Sequence, residues 1–165
     1  MNVLETLARW CALAAGLLLA LIMSLATLSI VGRETVGWTV PGDFELVALV
    51  TGAVVGLFMP LCQMHRGNIV VDFFTARAPR RLNAALDRMA AGVLGLSFAL
   101  LAWRAGVGGL ESFQNGSTTM LLGFPEWPAY ATMVLGFALT AVIGLVQLVA
   151  GFGRFERHAH GEVTA

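Results

Sequence analysis

Apolar residues in this chain gather into four long blocks instead of alternating with polar ones. Trp10–Gly32, Leu46–Met64 and Trp127–Gly153 each run without a formal charge, and Met89–Trp103 continues past Arg104 to Leu110. A helix rises about 1.5 Å per residue, so roughly 20 residues cross the ~30 Å hydrocarbon core. Three blocks meet that length outright, and the third meets it if Arg104 lies near one membrane face. The pattern predicts an all-α integral membrane protein of four transmembrane helices, over about 5–31, 44–64, 79–109 and 127–152. Residues 1–153 form one transmembrane domain on this reading, and 154–165 a polar cytoplasmic tail. The first block exceeds the 7–15 apolar residues of a typical secretory signal, and Glu5 interrupts its basic start; it is read as a retained helix.

Composition strengthens the membrane reading. Hydrophobic residues make up 58% of the chain and charged ones 12%, with a mean hydropathy of +0.80. Soluble domains carry about 25% charged residues, so a soluble globular domain is excluded.

Arginine gives the four helices a direction. The chain has no lysine, and its ten basic residues sort unevenly. Arg9, Arg66, Arg77, Arg80, Arg81, Arg88, Arg154 and Arg157 fall on one side, and only Arg33 and Arg104 on the other. Basic residues of short loops stay cytoplasmic, so both termini are expected inside. The opposite side collects Glu34, Asp43, Glu45, Glu111 and Glu126 and faces the periplasm in a Gram-negative cell. Trp10 falls at an inner helix end, and Trp38, Trp103 and Trp127 at outer ends, as indoles at the headgroup level would.

The connections carry their own signals. Pro41-Gly42-Asp43 opens the second helix, with Asp43 as N-cap. Within that helix Gly52 and Gly56 are four apart, a spacing that lets helix backbones approach closely in lipid, and Pro60 is expected to bend its last turns. After His65-Arg66-Gly67-Asn68 comes the apolar stretch Ile69–Phe74, too short to span and suited to the interface, before Pro79 restarts a helix. Arg104 and Glu111 share a helix face; Arg104 either snorkels to the headgroups or pairs within the bundle with Glu111 or Glu45. Met120-Leu121-Leu122, in the connection before Trp127, is read as dipping into the interface or covering the bundle end.

Reactive chemistry is sparse. No block holds a carboxylate at mid-membrane depth, and His65, His158 and His160 all sit at the cytoplasmic edge. Facing histidines for haem, a phosphate loop, a nucleophile elbow and a metal motif are missing. Cys11 and Cys62 lack the C-x-x-C spacing and read as packing residues. Neither an enzyme nor a complete ion-coupled transporter is expected, and no cofactor, metal or nucleic-acid partner. The chain reads as a helper.

Three segments resemble the small membrane subunit of tripartite ATP-independent periplasmic (TRAP) transporters. They are GRETVGWTVPGDFEL at 32–46, HRGNIVVDFF at 65–74, and the stretch from Gly116-Ser117 through Phe124-Pro125-Glu126-Trp127. His65, Arg66, Gly67, Ile69, Val71 and Asp72 match the family's basic–Gly–x–Ile–x–Val–Asp stretch, although Asn68 stands where the family often has His. Ser117, Pro125 and Trp127 match its Ser…Pro–x–Trp approach to the fourth helix. The resemblance implies a scaffold for a large multi-helix subunit that carries substrate and sodium sites, served by a periplasmic binding protein delivering an organic acid. It implies the bacterial inner membrane as location. Arg33, Glu34, Asp43, Glu45, Arg104 and Glu111 then become expected contacts to the large subunit or the binding protein. The alternative is a free-standing four-helix protein, an assembly factor or small channel.

Overall fold

The structure, a computed structural model, describes residues 2–38, 41–65 and 80–150. They form four helices, α1 (Asn2–Val36), α2 (Asp43–Met64), α3 (Arg80–Asn115) and α4 (Trp127–Ala150). Each contains a stretch long and apolar enough to cross a membrane, and no strand occurs among the described residues. The chain is therefore an all-α, multi-pass membrane protein, as its apolar blocks predict. The expected interfacial segment, from Arg66 onward, and the tail lie outside the described residues.

Two helices are longer than the charge pattern suggests. α1 continues past Arg33 to Val36, and α3 past Glu111 to Asn115. At ~1.5 Å per residue they measure roughly 50 Å or more, well beyond a ~30 Å hydrocarbon core. A charge marks where the apolar run stops, but the backbone hydrogen bonds of a helix continue through it. α2 starts one residue earlier than expected. Its N-cap is Gly42, in the left-handed region at φ 73°, and not Asp43. The Gly42 carbonyl accepts the N–H groups of Glu45 and Leu46. Glycine takes that backbone conformation at little steric cost.

In space the helices lie in the order α1–α2–α4–α3, with α1 touching α4 only marginally. On α1 the buried positions are Ala8, Ala15, Ile22 and Ser29, each seven residues from the next. That period keeps one seam against a neighbouring helix. Ala15 meets Val54 and Leu57 of α2 there, with Cys11, Leu18, Val50 and Phe58 packed around them.

α4 is one of the two inner helices and packs on both sides. Towards α2 it runs parallel, with Gly52 beside Met133 and Gly56 against Gly136. A Cβ on Gly136 would overlap the Gly56 carbonyl. Pro60 lacks the N–H that would normally bond this carbonyl, so the freed oxygen and the bare Cα of Gly136 come together where the helices cross. Towards α3 it runs antiparallel, with Gly144 against Gly95, Leu148 against Gly92 and Tyr130 against Gly109. Phe98 and Phe137 fill the space between, their ring centroids 5.7 Å apart. Lipid is as apolar as leucine, so close backbone packing drives this association more than burial does.

Candidate functional site

Among the described residues, polar side chains gather at the end of the bundle where α1 and α3 finish and α2 and α4 begin, here termed the Trp127 end. α1 closes with Gly37 at φ 71°, and the Trp38 N–H returns to the Gly32 carbonyl at 3.2 Å. Asp43, in the first turn of α2, receives the Ser29 hydroxyl at 2.6 Å and the Phe44 N–H at 2.8 Å. One carboxylate thereby joins α1 to α2 and also satisfies an orphan donor of the helix start. The draw of Ser29 explains why Asp43 enters the helix instead of capping it.

Glu45 acts over a longer range. Its carboxylate accepts the N–H of Leu121 at 3.1 and 3.2 Å and that of Leu122 at 3.4 Å. These donors belong to the connection between α3 and α4, which is itself ordered. The Ser117 N–H bonds to the Ser112 carbonyl, and Glu126 N–H to the Ser117 carbonyl. Thr119 donates its N–H to the Phe124 carbonyl at 2.9 Å, and its hydroxyl oxygen accepts the Phe124 N–H at 3.1 Å. Thr118 and Pro125 form an isolated antiparallel bridge across it. The result is a knuckle seated on α2. A Cβ on Gly42 would lie 2.7 Å from Cγ of Leu122, so this glycine also makes room for the knuckle. Met120 stands at its tip, 98% exposed, beside exposed Leu121 and Phe124.

The six expected contact residues thus divide. Asp43 and Glu45 are engaged within the chain, while Arg33, Glu34, Arg104 and Glu111 are exposed. Among the resemblance residues, Ser117 and Pro125 help to build the knuckle, and Trp127 opens α4 with its ring edge-on to Phe113 at 5.8 Å. His65 is the exposed C-cap of α2, while Arg66, Gly67, Ile69, Val71 and Asp72 lie outside the described residues. Gly52 and Gly56 both face α4.

Sequence reasoning missed the polar pair in the middle of the row. Gln63 and Gln147 are essentially fully buried. The Gln63 side-chain amide donates to Oε1 of Gln147 at 2.9 Å, and the Gln147 amide donates to the Gln63 carbonyl at 3.2 Å. The available signal was a lone amide near the end of each of two apolar runs. Buried polar side chains among the described residues are hydroxyls and amides: Ser29, Gln63, Ser112, Thr119, Thr140 and Gln147. No group of His, Cys, Asp and Glu that could hold a metal occurs among the described residues.

A profile of the family described as Tripartite ATP-independent periplasmic transporters, DctQ component, matches residues 22–154, from the middle of α1 through all of α4. The chain belongs to this family. It is the small component of a TRAP transporter, and the match includes the Ser29–Asp43 link, the Glu45-held knuckle and the Gln63–Gln147 pair. No curated protein and no solved structure matched the DctQ chain. Membership carries the general assignment to membrane transport, while the geometry supplies the residue-level account.

Proposed function

We propose that this DctQ component is the small permease subunit of a secondary TRAP transporter and scaffolds the large membrane subunit. The transporter takes up a small organic acid, driven by sodium and served by a periplasmic binding protein. The subunit lies in the bacterial inner membrane with both termini cytoplasmic, so the Trp127 end faces the periplasm. The observation that carries the reading is the chemistry of the buried interior. Its polar groups are amides and hydroxyls, without a buried carboxylate among the described residues to bind or release a cation. Such an interior suits a support better than a pathway.

The periplasmic rim then serves docking. Arg33 and Glu34 are exposed there, beside a knuckle held rigid by Glu45. Arg33→Glu and Glu45→Arg are expected to impair uptake of the substrate while leaving the amount of subunit in the membrane unchanged. Normal uptake in both variants would sink the docking role. Purification in mild detergent tests the scaffold role directly: the chain should migrate with the large subunit, and migration alone would favour a free-standing protein.

A further inference from the structure

α3 has two faces with different demands. One packs on α4 through buried Ala91 and Gly95, through Phe98 against Phe137, and through Gly109 against Tyr130. The other holds Val93, Ser97, Leu100, Arg104 and Glu111, at spacings of four, three, four and seven, and all five are exposed. Positions so spaced share one side of a helix. Because α3 ends the row, with α4 as its neighbour, this second face has no covering helix among the described residues.

Leucines and valines facing lipid need no explanation, but Arg104 does. The Phe113–Trp127 ring contact brings that turn of α3 level with the first turn of α4. Arg104 precedes Phe113 by nine residues, placing it about 14 Å further into the membrane. α4 spans about 36 Å over its 24 residues, so Arg104 lies more than a third of the way along it. Snorkelling from that depth takes the full length of the side chain, and pairing inside protein is the alternative that keeps the guanidinium at its own level. Among the described residues no carboxylate is shown paired with Arg104. Glu45 holds the knuckle, Glu111 is two turns away, and Glu5 is paired with Arg9. The Ser97 hydroxyl is engaged with the Val93 carbonyl. An arginine at this depth is costly unless it pairs inside protein.

We infer that this face of α3 is covered by a membrane helix of the large subunit, and that this helix carries an aspartate or glutamate opposite Arg104. A guanidinium presents a planar fork of donors that matches a carboxylate, and low polarity strengthens such a pair. Val93 and Leu100 would pack on the same helix below the pair. The inference rests on the scaffold reading and adds to it a face and a partner group.

The test uses the full chain coexpressed with its large subunit. A photo-crosslinking residue is placed at Leu100, with comparison sites at Leu17 on α1 and Val142 on α4, both exposed. In parallel, R104Q and R104K are scored for membrane level and for the large subunit recovered with them in mild detergent. The expected result is a crosslink from Leu100 to the large subunit, with Arg104 intact. R104Q should lower recovery by more than about tenfold at normal membrane level, and R104K, which keeps the charge but loses the fork, should lower it less than R104Q does. If R104Q recovers the large subunit normally and Leu100 crosslinks only to lipid while Leu17 or Val142 reaches the large subunit, the face is lipid-facing. The inference then falls and the scaffold reading stands. If the unaltered chain neither crosslinks to nor recovers the large subunit from any site, both fall together.

Discussion

Adding one methyl group at Gly144 tests whether backbone approach holds α3 to α4. The new Cβ would lie 2.8 Å from the Gly95 Cα, 3.0 Å from the Ala91 carbonyl oxygen and 3.1 Å from the Gly95 nitrogen. All three obstacles are backbone atoms, so no rotamer change relieves them. Carbon atoms normally sit about 3.5–4.0 Å apart, so the helices must part locally by roughly 1 Å. A gap of that size forfeits about a quarter to a half of each contact's attraction along the seam. Overpacking of this kind costs about 1–3 kcal/mol. The opposing gain is helix propensity, at most about 1 kcal/mol for Gly→Ala. Gly144→Ala should therefore be destabilised by about 1–2 kcal/mol, which for a chain of this size lowers the unfolding midpoint by several degrees, roughly 2–8 °C. Gly16 supplies the control, since its added Cβ would meet nothing within 4 Å. Gly16→Ala should be neutral or slightly stabilised. A thiol-reactive fluorophore suits the assay in mild detergent, because the Cys11 and Cys62 side chains are partly buried until the bundle opens. A Gly144→Ala midpoint equal to the parent's, or a Gly16→Ala midpoint lowered as far, would refute the reasoning.

Two other contacts give separate outcomes. Gln147→Leu should cost about 1–3 kcal/mol, because it removes the acceptor of the buried Gln63 amide. The double variant with Gln63→Leu should cost less than the two single costs added, and additivity in the same thermal assay would argue against a coupled pair. Glu45→Ala leaves the Leu121 and Leu122 N–H groups without their acceptor and should release the knuckle. Hydrogen exchange at those two amides should quicken by several-fold, matching a hydrogen bond of about 1 kcal/mol, while exchange in α4 stays unchanged.

The helices were legible because lipid demands long uncharged runs, and that demand is local in sequence. Their pairing was not. Gln63 and Gln147 are 84 residues apart, and Glu45 meets Leu121 76 residues away. Nothing in a neighbouring residue announces such partners. Glu45 read as an outward contact because a carboxylate near a loop usually faces water, yet backbone N–H groups of a distant connection claim it. Gly52 and Gly56 stood out through their spacing, whereas Gly136 and Gly144 matter through what lies opposite them. Trp103 precedes the Phe113–Trp127 contact by ten residues, about 15 Å along α3. The family resemblance, resting on order and spacing over most of the chain, identified the component that the family match shows.

The spatial order α1–α2–α4–α3 also bears on biogenesis. One of the two inner helices of the row, α4, is synthesised after the other three. While α4 is still in the ribosome, the α1–α2 hairpin and α3 share little surface among the described residues, and the faces carrying Gly56 and Gly95 await α4. Arrival of α4 joins the two pieces in one step. Nascent chains stalled before Trp127 should consequently be the ones that membrane proteases clear, and the last helix made acts as a checkpoint for the whole subunit.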